Sequence, residues 1–354
     1  MATVERVYVH IGPPKTATTF IQSVLRRNGE QLDAERCVLP RRHRQHGAVL
    51  RLLARTGSTG GAGEAGIRGS EPHGWDGLVD EVRGADADTA IVSVEGLSRA
   101  GPVQVGLLVE SFAPAEVHVV YGARDLAQLV PAFWQSRLRN GAAPSWRDLL
   151  ESVRNPAGEH SYGDRFWSQF DPRRALAAWL AHVPAHRVHV ITVPPAGSAP
   201  GLVWKRFCAV VGLDADRYDL DVPRANVSLG GVEAEVLRRV TGRVSEPLTA
   251  AAYADVVKQF VAREVLERRQ QSFRLTLPAA ELAWLAPRAE AATGYLRDTG
   301  FPVAGDLDDL LPLVDPGARD PDDVTDAEVL ALMDEVLAET VLEMARRGGV
   351  TLAG

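Results

Sequence analysis

The chain has 354 residues, enough for one large or two medium domains with a full core, and its 45% apolar and 24% charged content is that of an ordinary globular protein. A net charge of −7 with no basic stripe carrying interleaved aromatics argues against nucleic acid, and no apolar run is long enough to span a membrane. Two distant cysteines, Cys37 and Cys208, indicate neither a disulfide framework nor a zinc site and are read as small core residues; no metal is expected.

Glu5 and Arg6 lead straight into a strand, without a secretory leader pattern, so a cytoplasmic protein is expected. Residues 6–11 form that strand, and Thr18 to Leu32 carries apolar positions at helical spacing, so the pair reads as strand, loop, helix. Pro40–Arg55 is basic, with Arg41, Arg42, Arg44, Arg51 and Arg55 beside His43 and His46. It is either a solvated helix face or a surface for anionic substrates. Thr56 to Gly74 is glycine- and serine-rich and reads as a loop, and Trp75 to Val82 as a short helix.

Thr89–Val94 is a second buried strand ending at Glu95-Gly96. Val103 to Phe112 is a helix, and Glu116–Tyr121 a third strand closed by Gly122-Ala-Arg124-Asp125. Leu126–Leu138 is helical. Residues 140–170 read as irregular and aromatic, serving as a substrate wall or as packing over the core. Ala175–His182 is helix, Arg187–Thr192 strand and Leu202–Val211 helix. Strands alternating with helices imply an α/β, three-layer parallel sheet flanked by helices over residues 1–230.

From Gly230 the strand signal stops, and helices over 231–242, 248–270, 278–297 and 325–347 form a C-terminal helical extension, 231–354. The last begins with a capping box, Thr325 and Glu328. Its stripe Leu330, Met333, Leu337, Val341 and Met344 reads as core or as a partner surface, which makes homo-oligomers through these helices an open expectation. Acids concentrate here: residues 306–343 hold thirteen against one base, Arg319. The rest has 38 bases and 33 acids, a body of net +5 suited to handling anions.

The chemistry concentrates in Gly12-Pro-Pro-Lys15-Thr-Ala-Thr-Thr-Phe20. A loop at the carboxyl end of a parallel strand that opens a helix offers free amides and the positive end of the helix dipole to an anion. Thr16, Thr18 and Thr19 add hydroxyl donors, and Lys15 adds a point charge in a chain that has only three lysines. The spacing is not that of a Walker A loop, which disfavours an ordinary ATPase.

These residues resemble the sulfotransferases that use 3′-phosphoadenosine 5′-phosphosulfate (PAPS), whose phosphosulfate loop reads Pro-Lys-Ser/Thr-Gly-Thr-Thr-aromatic. Here it stands as Pro14-Lys15-Thr16-Ala17-Thr18-Thr19-Phe20, with Ala17 where glycine is usual. The family holds the 3′-phosphate with an arginine after a later strand and a serine eight residues on. Arg124 falls at the first position, Ala132 stands at the second, and Ser136 lies one turn further. Weaker pieces, Trp134-Gln135, Val190–Pro194, Arg206-Phe207, Asn226-x-Ser228-Leu229 and Gly305-Asp306-Leu307, resemble a bacterial branch of this P-loop-like fold.

The resemblance implies transfer of a sulfuryl group from PAPS to a hydroxyl of a small metabolite or carbohydrate, with Lys15 stabilising the leaving phosphate. The expected base is Glu95, after the second strand, with His10 as runner-up. The partners expected are thus the nucleotide donor and a hydroxyl acceptor. A degenerate member that binds nucleotide or a partner without catalysis is the alternative, and a nucleotide kinase is a third reading.

Overall fold

The computed structural model describes residues 3–41, 45–54, 74–158, 160–223, 228–315 and 317–347. Arg42, His43, Arg44, Arg55, the 56–73 stretch and Asn226 lie outside them. In chain order the first half runs β1 (Arg6–Gly12), α1 (Thr18–Arg27), α2 (Gly29–Ala34), β2 (Cys37–Val38), α3 (Gln45–Ala54), α4 (Gly74–Gly84), β3 (Thr89–Ser93), α5 (Pro102–Phe112), β4 (Glu116–Ala123), α6 (Leu126–Arg139), α7 (Trp146–Arg154) and α8 (Tyr162–Phe170). The second half runs α9 (Pro172–Ala175), α10 (Ala177–Leu180), β5 (Val188–Thr192), α11 (Leu202–Val211), α12 (Gly231–Val244), α13 (Ala250–Tyr253) continuing as π-helix to Leu266, α14 (Leu282–Asp298), β6 (Val303–Ala304) and α15 (Asp326–Arg347). No helix among the described residues is long and apolar enough to cross a membrane.

Two compact units emerge. One comprises Met1–Leu126, Arg165–Ala225 and Ala286–Pro312; the other comprises Ala127–Asp164, Asn226–Leu285 and Leu313–Gly354. The first unit holds a six-stranded, all-parallel sheet in the order β2-β3-β1-β4-β5-β6. Alternation along β1 explains its layers. Val7, Val9 and Ile11 join a core with residues of α3, α4, α5 and α10, while Tyr8 faces a second core with Ile21, Val24 and Leu25 of α1 and Trp204 and Phe207 of α11. Both faces are covered, as a parallel sheet requires, so the expected α/β architecture is present. Cys37 and Cys208 are buried in the second core.

Three expectations need correction. A strand does occur after Gly230: β6 pairs parallel to β5 as the sixth strand. It is only two residues long, below any periodicity signal, and is fixed by distant partners: Val190 N donates to the Pro302 carbonyl at 2.9 Å, and Arg206 Nη1 donates to Asp309 Oδ2 at 2.6 Å and to the Thr192 carbonyl at 2.8 Å. The Arg206 and Gly305–Leu307 pieces of the resemblance therefore serve as a fold clamp. Gly305, at φ 125°, has no room for a Cβ, which would meet Thr192 Oγ1 at 2.1 Å.

Second, the 140–170 stretch is largely helical. Ser145 caps α7 by accepting from Asp148 N, and Trp146, Leu149, Leu150 and Val153 are buried at helical spacing. Third, of the two readings of the α15 stripe, core or partner surface, the core one fails, because the stripe is mostly exposed. Val329, Leu332 and Val336 are the residues that pack, while Leu330, Leu337, Val341 and Met344 are 56–68% exposed. The capping box forms as expected, with Thr325 N donating to Glu328 Oε2 at 2.8 Å and Glu328 N to Thr325 Oγ1 at 3.3 Å.

In the second unit, acids of the C-terminal stretch face arginines. Glu328 pairs with Arg319 at 2.6 Å and Asp326 with Arg239 at 2.8 Å, and Glu335 pairs with Arg269. The acidity read in the sequence is thus partly neutralised within its own unit. Arg139 and Glu267 make the most buried pair there, at 3.0 Å.

Candidate functional site

The turn between β1 and α1 is shaped by backbone conformations that side chains usually avoid. Gly12 (φ 85°) precedes a cis Gly12–Pro13 bond, and Lys15 (φ 71°) and Ala17 (φ 63°) are both left-handed, with Thr16 between them outside the positive-φ set. Two left-handed residues one position apart fold the turn tightly ahead of α1, whose first-turn amides carry the positive end of the helix dipole. Ala17 adopts the conformation that glycine would adopt freely, at a cost of about 1–2 kcal/mol.

Side chains hold the turn from within. Thr16, buried, donates from Oγ1 to the Pro13 carbonyl at 2.7 Å, and Thr18, also buried, donates from Oγ1 to Glu95 Oε2 at 2.9 Å. Pro14, Lys15, Ala17, Thr19 and Phe20 are partly exposed. Arg124, at the end of β4, donates from Nη1 to the Lys15 carbonyl at 2.9 Å. The loop also presses on β4: a Cβ on Gly122 would lie 2.5 Å from Thr16 Oγ1 and 2.8 Å from its Cβ. On the other side, a Cβ on Gly12 would lie 3.0 Å from that of Glu95. Lys15, Glu95 and Arg124 therefore converge on one loop, although 109 residues separate Lys15 from Arg124 and 77 separate Thr18 from Glu95.

His10 and Ser136 sit differently. His10 is 1% exposed, shares a hydrogen bond of 2.8 Å between Nδ1 and Ser93 Oγ, and lies edge-on to Phe207 at 5.6 Å. Burial pushes its imidazole down to about 4, so it is neutral near neutrality. Ser136 lies on α6 in the second unit, where Asn140 Nδ2 donates to its carbonyl at 2.7 Å.

A cleft adjoins Glu95 on the β3 side, lined by Gln22, Leu25 and Arg26 of α1, Leu39, Gln45 and His46, and Ser93–Glu95. Its volume is about 150 Å³, room for one small ring rather than for a drug-sized ligand. Of the basic 40–55 segment, His46 reaches this cleft. Elsewhere in that segment, Arg41 N donates to Glu81 Oε1 at 3.0 Å, and Arg51 packs against Gly74.

Sequence reasoning missed the residue that shapes the cleft wall. Gln45 is buried and uses its whole amide: Nε2 donates to the Pro40 carbonyl at 2.8 Å and the Ile91 carbonyl at 3.0 Å, while Oε1 accepts from Ser93 N at 2.8 Å. Gln22 Nε2 adds a bond of 3.0 Å to the Ser93 carbonyl. Together they fix the end of β3, and with it the base of Glu95. The only local signal was a glutamine at the start of an apolar helix.

No protein-family model matches the chain, and no curated protein matches it in sequence. In structure it is similar to the crystal structure of a sulfotransferase from Alicyclobacillus acidocaldarius, at 15% identity over 73% of this chain and 96% of that one, with a TM-score of 0.40. So remote a likeness carries no functional weight, and the function has to be argued from the side chains and the loop.

Proposed function

We propose that this chain is a sulfotransferase that moves a sulfuryl group from PAPS to a hydroxyl of a small metabolite or carbohydrate. The observation that carries the reading is the tight turn at Lys15–Ala17 ahead of α1, flanked by Arg124 on the β4 side and by Glu95 beside an open cleft on the β3 side.

The residues of the loop suit this chemistry. The first-turn amides of α1 and the Lys15 ammonium would bind the 5′-phosphosulfate and offset the charge that grows on the phosphate oxygen as the sulfur–oxygen bond breaks. Arg124 donates to the Lys15 carbonyl and so stands beside the loop, and a guanidinium there suits the 3′-phosphate. Glu95 would take the proton of the acceptor hydroxyl as the new oxygen–sulfur bond forms. Thr18 holds one carboxylate oxygen, leaving the other for the acceptor. His10, enclosed and neutral, suits the support of Ser93 rather than proton transfer.

Transfer from donor labelled in the sulfuryl group tests the reading. Lys15→Ala is expected to lower kcat by about 10²–10³-fold, the effect of removing a preorganised charge from a transition state. A Lys15→Ala protein as active as the parent would sink the assignment. Calorimetric titration with 3′-phosphoadenosine 5′-phosphate completes the test: no detectable binding would count against the enzyme, and binding without transfer would mark an inactive nucleotide binder.

A further inference from the structure

The cleft beside Glu95 contains a cation that the transfer chemistry does not require. Arg26 lies in its wall, half-buried in the last turn of α1, and makes no hydrogen bond or ion pair among the described residues. Its neighbour Arg27 points elsewhere and pairs with Asp219. Burial holds the Arg26 guanidinium below its ordinary value, and no carboxylate among the described residues offsets that effect. A cation in the last turn favours the helix dipole, but Arg27 already supplies one at the surface, where it stays solvated. A half-buried guanidinium in a cleft wall, with no partner among the described residues, is an anchor for an anion that enters the cleft.

The other lining groups narrow what such an anion can be. The amides of Gln22 and Gln45 are committed to the backbone of β3 and its approach, and Leu25 and Leu39 are apolar. Arg26 is therefore the permanent cation of the lining, and Glu95 its anion. Helix side chains lean toward the N-terminus, so Arg26 leans back along α1 toward the end where Thr18 holds Glu95. Thr18 and Arg26 stand about 12 Å apart along the helix, and the reach of the two side chains shortens that gap to the length of one sugar or aromatic ring. A negative group next to Glu95 would be repelled, whereas one at the far end of a ring would meet Arg26.

We propose that the acceptor is a small anionic hydroxyl compound of one ring, with its hydroxyl at Glu95 and its carboxylate, or an equivalent oxyanion, on Arg26. This rests on the sulfotransferase reading for the hydroxyl, but the anion site itself does not. The apolar walls of Leu25 and Leu39 would take the faces of the ring.

Matched acceptor pairs test it: 4-hydroxybenzoate against 4-hydroxybenzamide, and glucuronate against glucose, each with donor labelled in the sulfuryl group. The carboxylate member of at least one pair is expected to be favoured by about tenfold in kcat/KM, mostly through KM, which is the discrimination one charge-assisted hydrogen bond supplies. Arg26→Met is expected to erase that preference and Arg26→Lys to keep part of it, with the affinity for 3′-phosphoadenosine 5′-phosphate unchanged in both. Saturation-transfer NMR on nucleotide-free protein reads the same site without donor chemistry. 4-Hydroxybenzoate should receive saturation from the parent and not from Arg26→Met. A preference for the neutral members, equal rates in both pairs, a preference that survives Arg26→Met, or nucleotide binding without transfer to any member would overturn the proposal. Failure to bind the nucleotide alongside Arg26-dependent binding of 4-hydroxybenzoate would instead remove the donor reading and leave the anion site standing.

Discussion

The two flanks of β1 are built differently although both end at the same loop. On the β4 side the packing closes: Gly122 has no space for a Cβ beside Thr16, and Arg124 is tied to the Lys15 carbonyl. On the β3 side it opens. Gly12 admits Glu95 at contact distance, Gln45 and Gln22 secure Ser93, and beyond them lies a cleft with Arg26, unpaired among the described residues, in its wall. The difference teaches how a parallel sheet can hold a loop tightly on one flank and leave open space beside it on the other.

The largest effect expected from disturbing this arrangement is on the open flank. Glu95→Gln keeps an oxygen for the Thr18 hydroxyl but removes the base, so kcat should fall by about 10²–10⁴-fold while nucleotide affinity, measured by calorimetry, stays unchanged. A rate within a few-fold of the parent would remove Glu95 from its role. The closed flank should respond in stability instead. Gly122→Ala forces a methyl onto Thr16 and is expected to cost about 1–3 kcal/mol in denaturant unfolding, with weaker nucleotide binding. Unchanged unfolding would mean that the loop and β4 yield more easily than their contact implies. The smallest effect concerns the loop itself: Ala17→Gly removes left-handed strain and should stabilise the protein by about 1 kcal/mol or less, because glycine's greater freedom in the unfolded chain offsets part of the gain. A thermal midpoint that drops would show that the alanine methyl makes contacts worth more than its strain.

The loop was the most legible part of the sequence, because its strand, turn residues and helix are contiguous and each obeys a local rule. Glu95 and Arg124 were legible for a related reason. Strand ends can be read from periodicity, and in a parallel sheet all the carboxyl ends lie at one edge. Gln45 was not legible, since its value comes from three backbone groups, two of them some 46–48 residues away, and no periodicity reports that. His10 read as a rival base only because one dimension does not show that the far face of β1 is covered by α11, which encloses its ring against Phe207.

The C-terminal helix illustrates the same limit. Apolar residues run along two adjacent faces of α15, and sequence spacing favoured Leu330, Leu337 and Met344, but packing within the second unit buries Val329, Leu332 and Val336. By itself the sequence determined the α/β alternation, the strand–turn–helix around Lys15 and the candidates at three strand ends, because each follows from local periodicity and side-chain chemistry. Only the tertiary structure decided that β1 lies inside the sheet with Glu95 and Arg124 on opposite sides, that a two-residue β6 closes the sheet, and that Arg26 lines a cleft. These depend on strand order and on which surfaces meet, and neither is written in the spacing of neighbours along the chain.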